Sequence, residues 1–440
     1  MRGGATLAVL LLTAGSVAVA GPVSFVGLMV PHACRLMVGA DYRRLIPLSA
    51  IVGAALTEFA DVGARTLLGP GREMPLGVLT AALGAPCFVW LVRSRGGRGF
   101  EGGAPTAAAV GRTHRSPRRV LPVLVGLLAA TFIAALHVGY TPISTKALAD
   151  IFTGYGTSDE QLVLLSFRLP RIVFAVLVGG GIAVAGTVLQ GVLRNDLAEP
   201  GILGVSAGAS LGVVLSLAVM GYAVLSSVFL LPLVAIGGSL AAMFAVYVLS
   251  LGKQHSSQRL LLTGVAVSAA LGAVTLLASL QISSQAHAYA VAFSAGSLSS
   301  ADWNYVLVLV VWLGVLIPVL WSHAPTLNVL RLGDEAATGL GVAVSRRTMS
   351  LLALAVAVCA ACMALAGGVT FLGLIAPHIA RRLVGADHAA VIPAAGLTGA
   401  ILLIVADALG SQIVPGVEIP AGVMISALGA PYFLYLLTRR

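Results

Sequence analysis

The 440-residue chain is 58% AVILMFWYC and only 10% charged, with a mean hydropathy of +1.01. Soluble domains carry about 25% charged residues, so that class is excluded. The net charge of +10 does not indicate nucleic-acid binding, because the basic residues collect in short loops between apolar runs and not on one solvated face.

Apolar runs of about 20 residues recur along the whole length, which is the transmembrane-helix pattern. The strands of an outer-membrane barrel would instead alternate polar and apolar residues, and no such alternation is present. The expected fold is all-α and polytopic. The four cysteines, Cys34, Cys87, Cys359 and Cys362, lie in or beside apolar runs. Cys359 and Cys362 have a C-x₂-C spacing but neither a second pair nor a neighbouring histidine, so they are expected as buried apolar residues, with no metal site.

In chain order, residues 5–20 (ATLAVLLLTAGSVAVA) follow one arginine and end in an A-x-A-like site. A cleaved signal peptide has this form. The segment MALAG before Gly368 holds the same place in a second copy of the following sequence, which favours a retained helix. Further spans are expected at 21–38, 44–62 and 75–93. Arg35, Arg43 and Arg44 fall between the second and third and mark a cytoplasmic loop. Residues 93–119 (RSRGGRGFEGGAPTAAAVGRTHRSPRR) have no apolar period and are expected to form a flexible cytoplasmic linker.

Beyond the linker, spans are expected near 120–138, 172–190, 203–222, 226–250, 259–281, 304–321, 348–366, 368–384, 390–409 and 419–437. The loop before the second of these contains Lys146, Asp150, Asp159 and Glu160 and closes with Arg168-Leu-Pro-Arg171. With a cytoplasmic start, Arg194, Lys253, Arg259, Arg331, Arg346, Arg347, Arg381, Arg382, Arg439 and Arg440 all land inside. Only Lys146, Arg168 and Arg171 land outside, and the C-terminus is cytoplasmic.

The chain also repeats itself. At an offset of 346, 19 of the 41 positions from Gly21 to Asp61 are identical to Gly367–Asp407. After a one-residue slip, EMPLGVLTAALGAPCFVWL (73–91) matches EIPAGVMISALGAPYFLYL (418–436). Shared G-L-x-x-P-H, G-A-D and L-G-A-P in one order mark an internal repeat. The domains are therefore expected as 1–95, a partial copy holding the last four spans; 96–119, the linker; and 120–440, a complete ten-span unit.

No G-x-x-x-x-G-K-[ST] is present, so the chain does not hydrolyse nucleotide itself. Acidic residues are scarce within the spans, whereas ion-coupled carriers need buried ionisable groups on their pathway. The run from Arg194 through Asn195, Glu199, Pro200, Gly201, Gly204, Ser206 and Gly208 to Ala209 breaks a helix at Pro200-Gly201 and then allows a tight crossing. Taken alone it is a helix reversal. Residues 322–347 form the longest interior loop, and Leu330–Gly341 has the form of one short amphipathic helix ended by glycine. Such a helix suits either a lipid surface or a docked partner. His378 and His32, each following a proline, are expected to be structural, and Asp407 and Asp61 to hydrogen-bond near the outer surface.

The order F-R-L-P-R (167–171), N-D-L-A-E-P-G-I-L-G-V-S-A-G-A (195–209), R-L-L-L-T-G-V-A (259–266), L-R-L-G-D-E-A-A (330–337), G-L-I-A-P-H-I-A-R (373–381) and L-G-A-P resembles the FecCD family. These are the ten-span permeases of ABC importers for iron-siderophores, haem and cobalamin. The resemblance covers 120–440 end to end, and 5–95 again as the family's last four spans.

It implies a permease in the plasma membrane of a prokaryote, paired with a second permease subunit as a homo- or heterodimer. Cytoplasmic ATPase subunits would grip the loop carrying Arg331, Leu332, Gly333, Asp334, Glu335, Ala336 and Gly339. An extracytoplasmic binding protein would place its carboxylates against Arg168 and Arg171, which offer forked donors. A third docking arginine of the family is Ser411 here, although the partial copy keeps Arg65. Ser256 and Ser257 match an inner gate. The chain would bind no cofactor, and ATP would be hydrolysed by the partners. Besides the partners, only membrane lipid is expected to be in contact, and no nucleic acid.

Two rivals belong to other classes. A secondary carrier would need coupling carboxylates and often inverted halves, whereas this repeat is partial and same-sense. A membrane-embedded enzyme would need a nucleophile–base or metal constellation within the spans, and none is evident. The partial copy is expected as either the tail of a fused upstream permease or a true truncation.

Overall fold

The computed structural model describes residues 8–9, 11–16, 18, 23, 25–39, 41–66, 76–94, 116–139, 143–153, 155–221, 224, 227, 229–250, 257–414 and 417–438. Of the span expected at 5–20, residues 8–9, 11–16 and 18 are described and helical, whereas the bulk of the linker and Ser256 lie outside the described residues.

In chain order the helices are α1 (Val26–Val38), α2 (Tyr42–Thr66), α3 (Leu76–Ser94), α4 (Pro117–His137), α5 (Thr145–Phe152) and α6 (Ser158–Leu162). A π-helical stretch, Val163–Arg168, leads from α6 into α7 (Leu169–Leu193). After a tight turn at Pro200–Leu203 come α8 (Val205–Met220), α9 (Leu230–Ser250), α10 (Ser257–Ser279), α11 (Ser284–Ser294) and α12 (Trp303–Ser322). Two short helices, α13 (Ala324–Leu330) and α14 (Asp334–Gly339), precede α15 (Val344–Ala366), α16 (Leu372–Val384), α17 (His388–Gly410) and α18 (Ala421–Thr438). The fold is all-helical, with no strand among the described residues. Eight of the described helices are long and apolar enough to cross a membrane.

Three segments depart from the expected pattern. The span expected at 368–384 is a 13-residue helix, about 20 Å long against a hydrocarbon core of about 30 Å. Its first part is not helical because Gly367 (φ 75) and Phe371 (φ 64) are left-handed. Of the helix expected over Leu330–Gly341, only α14 (Asp334–Gly339) forms; Leu330 ends α13, and Gly333, whose φ of 107 no helix accommodates, separates the two. Helix α11 lies in what the sequence presented only as a loop, capped by Ser283, whose hydroxyl accepts from the Ala286 N–H.

Contacts divide the chain into two compact units, 1–101 with 245–282 and 102–244 with 283–440. The sequence repeat places α10 within 120–440, but its packing places it with the first segment.

In the second unit α7 is the centre. Its residues from Gly181 to Leu193 are all buried, and it packs on α15, α16 and α17. Between helices in lipid there is little hydrophobic drive, so close backbone packing of small residues replaces it. A Cβ on Gly179 would lie 2.5 Å from the carbonyl oxygen of Gly399 on α17, so this crossing requires glycine. In the first unit, Val30, Cys34 and Leu45 form the α1–α2 core, while α3 packs along α10.

The repeat has a structural counterpart. Helices α1 and α16 share bounds at the offset of 346, and both follow a left-handed phenylalanine, Phe25 (φ 68) and Phe371 (φ 64). Asp41 and Asp387 each cap the following helix, accepting from the N–H two residues on.

Candidate functional site at the two ends of α7

Helix α7 follows the π-helical stretch without a break, with Pro170 in its first turn, and its 25 residues span about 37 Å. Polar side chains converge at both ends.

At the first end, Arg171 donates from Nε to Asp407 Oδ2 at 2.8 Å and from Nη2 to Asp407 Oδ1 at 2.7 Å, a forked pair. The same Nη2 reaches Glu418. The three side chains are 14–28% exposed. Arg168 donates from Nη1 to the Leu136 carbonyl at 2.7 Å, satisfying the last turn of α4. Arg168, Arg171, Phe167, Asp407, Ser411 and Ser299 are among the residues lining a cleft of about 310 Å³. The two arginines singled out by sequence therefore share one cleft. Arg171 is held by two carboxylates of its own chain, partners that sequence reasoning did not assign to it. Ser411 donates to the Ala408 carbonyl at 2.8 Å, and Arg65 of the partial copy lies 2.7 Å from Asp61.

At the other end, α7 stops at Arg194 in a left-handed conformation (φ 51, ψ 35). Arg194 forms an ion pair with Asp334, the first residue of α14, at 2.9 Å. The preceding helix α13 presents Asn328, whose Nδ2 donates to Asp387 Oδ1 at 2.7 Å and whose Oδ1 accepts from the His388 N–H at 3.0 Å. Arg331 donates to the Ala386 carbonyl at 2.9 Å. The loop from Asn328 to Asp334 is thereby fastened to the start of α17 and to the end of α7. Glu335 and Gly339 are exposed, while Ala337 is buried.

Two further contacts bind α7 to α16. Gln190 Nε2 donates to the Gly373 carbonyl at 3.3 Å and its Oε1 accepts from Arg381, which also lies 3.4 Å from Asp196. Sequence reasoning missed Gln190, Asn328, Arg381 and His388. The G-A-D ending of the repeat was the available signal, since Asp387 organises this corner.

The run 195–208 forms the turn between α7 and α8. Asn195 Oδ1 accepts from the Leu197 N–H at 2.9 Å, Pro200 opens the tight turn, and Gly204 (φ 84) closes it. Gly208 lies against Gly238 of α9, while Ser206 is half-buried. Glu199 is buried, and its carboxylate accepts from the Phe371 N–H at the start of α16. Burial pushes the Glu199 carboxyl up to about 7, opposed by that N–H. An acceptor at a helix N-terminus also complements the helix dipole.

Ser257 opens α10. His378 packs edge-on against Tyr432 with ring centroids 6.0 Å apart. Among the described residues no group of three or more His, Cys, Asp and Glu side chains is placed to hold a metal ion.

The arrangement is mechanical: a buried central helix with an ion-paired cluster at one end and, at the other, a fastened two-helix loop. The chain matches the FecCD transport family over residues 1–94 and 127–439. It is 41% identical over 327 residues to the iron(3+)-hydroxamate import system permease protein FhuG of Bacillus subtilis (strain 168), covering 73% of this chain and 97% of that one. It is 38% identical to the Fe(3+) dicitrate transport system permease protein FecD of Escherichia coli (strain K12), covering 71% and 96%. It is 37% identical to the hemin transport system permease protein HmuU of Yersinia pestis, covering 74% and 96%. Among solved structures, a metal-chelate type ABC transporter in an inward-facing conformation matches with a TM-score of 0.65 and 28% identity, covering 73% of this chain and all of that one.

Proposed function

Because the chain belongs to the FecCD transport family, we propose that it is the membrane-spanning permease subunit of an ABC importer that carries a ferric siderophore, or a related iron chelate, haem or cobalamin, into the cytoplasm. It works in the plasma membrane of a prokaryote, with its C-terminus cytoplasmic, and performs no covalent chemistry of its own. Separate ATPase subunits hydrolyse the ATP.

The observation that carries this reading is the double fastening of the 328–334 loop. ATPase subunits grip Arg331–Gly339, where Leu332 and Glu335 are exposed. Movement of that grip reaches α7 through Asp334–Arg194 and α17 through Asn328. A partner can shift the permease between outward and inward access only by contacting the two states differently, and a loop tied to both helices supplies such a contact. At the far end, the binding protein docks over the cleft of Arg168 and Arg171. Its carboxylates compete there with Asp407 and Glu418 for the Arg171 guanidinium. A second permease subunit completes the pathway.

Uptake of a panel of labelled ferric siderophores, haem and cobalamin in cells tests the reading. Accumulation of one ligand, lost on Glu335→Arg while the protein stays in the membrane, is expected and names the cargo. Unchanged uptake of that ligand in Glu335→Arg would remove the ATPase from this loop.

A further inference from the structure

Helix α3 and helix α18 are the same element of the repeat, starting 345 residues apart and carrying glycines that meet the same partner. A Cβ on Gly84 would lie 2.5 Å from the Phe25 Cβ, and one on Gly429 would lie 2.8 Å from the Phe371 Cβ. One face distinguishes them. Val78, Ala81 and Ala85 of α3 are 3%, 4% and 2% exposed. Their counterparts on α18 are Val423, 44% exposed, and Ser426 and Ala430, both only half-buried.

Helix α10 covers that face of α3. Val78 and Ala81 cluster with Ala269, Ala273 and Leu277, and Ala85 clusters with Leu262, Ala266 and Ala270. The two helices meet through alanines on both sides, a close and shape-specific contact of the kind that holds helices together in lipid. Because α18 carries Val423, Ser426 and Ala430 where α3 has Val78, Ala81 and Ala85, it offers a similar face to an α10 counterpart that α3 has not covered, with Ser426 paired to Thr370 in place of an alanine. Among the described residues α10 occurs once, and α3 covers it.

We infer that the amino-terminal segment occupies, through α3, the seat on α10 that the last helix of a second permease unit would take. The consequence is an asymmetric subunit. Its α10 is closed to a partner, its α18 is open, and two copies of this chain cannot pair symmetrically through α10 and α18. The partner that fits α18 is a permease chain without an amino-terminal copy, its α10 counterpart uncovered. The inference rests on the chain being one of two paired permease units; disulfide trapping reads the pairing and uptake reads the transport, so either can fail alone.

The full chain, with its native cysteines replaced (C34A, C87A, C359A, C362A) and a protease site within residues 96–115, carries either Ala85→Cys with Ala266→Cys or Ala430→Cys with Ala266→Cys. After oxidation in native membranes and proteolysis, the first pair is expected to hold the two fragments as one band until reduction. The second pair is expected to give no dimer of two copies. If the cysteine-free background does not reach the membrane, the same pairs are placed in the native chain, with its own fragment pattern as baseline. A dimer through Ala430→Cys and Ala266→Cys would overturn the inference, as would fragments that separate without reduction in the first pair.

Discussion

Asp334, the first residue of α14, holds Arg194, the residue that ends α7, at 2.9 Å. Their side chains are 56% and 31% exposed, and pairs this open contribute only about 0–1 kcal/mol to stability. Arg194 is moreover left-handed, which costs a non-glycine residue about 1–2 kcal/mol. Stability does not account for an arginine there; on the proposed reading it transmits the position of the 331–339 loop to α7.

Arg194→Gly is therefore expected to leave the melting temperature of the purified protein unchanged or slightly raised while lowering uptake severalfold. Asp334→Arg is expected to lower uptake similarly, and the charge swap R194D with D334R to recover part of it. Recovery in the swap, read as uptake at equal membrane protein, separates the pair from its individual residues.

The Arg171 cluster has the opposite balance. Its partners are mostly buried, and removing one side of a buried pair costs about 3–5 kcal/mol, because the remaining charge is left uncompensated. Arg171→Gln is expected to cost less than that range, since water reaches these side chains, but to lower thermal stability clearly. Adding Asp407→Asn to Arg171→Gln is expected to cost less than the sum of the two single changes, because the double variant relieves the stranded carboxylate. Melting curves of the two single variants and the double variant measure this.

Glu199 gives a pH dependence. Its carboxyl is raised from 4.5 to about 7 in the fold, so between those values the folded chain binds more protons than the unfolded one. The neutral carboxyl's contribution is fully present below pH 4.5 and is lost as pH rises through 7, on the order of 3 kcal/mol in all. The melting temperature is expected to fall across that window in the parent and to vary less in Glu199→Gln, which keeps an oxygen to accept from the Phe371 N–H.

Close packing around α7 predicts a contrast between glycines. Gly179→Ala puts a Cβ 2.5 Å from a backbone oxygen and is expected to destabilise by about 1–3 kcal/mol. At Gly126 on α4 nothing lies within 4 Å, so Gly126→Ala is expected to stabilise slightly through its higher helix propensity. Melting temperatures of the two variants are the check.

Much of the architecture was legible in the sequence because lipid makes hydropathy nearly sufficient. Helices α4, α7, α12, α15 and α17 lie where the apolar runs and their charged ends put them. What hydropathy could not reveal is where an apolar run stops being helical: Phe371 is as apolar in a left-handed turn as in a helix. The site divided in the same way. Arg171 and Asp334 were identified by motif, yet Asp407, Glu418 and Asn328 had no assigned partners, because ion pairs between distant segments leave no local pattern. Packing was the least legible layer. That α10 joins α3 follows from alanines whose fit appears only when two helices are side by side.

The measurement that tests the account most directly is transport by vesicles reconstituted with this chain, its second permease, the ATPase subunits and the binding protein. The account predicts chelate uptake that requires ATP, scales with its hydrolysis and survives ionophores that collapse proton and sodium gradients. Uptake that continues without ATP and stops when those gradients collapse would contradict it.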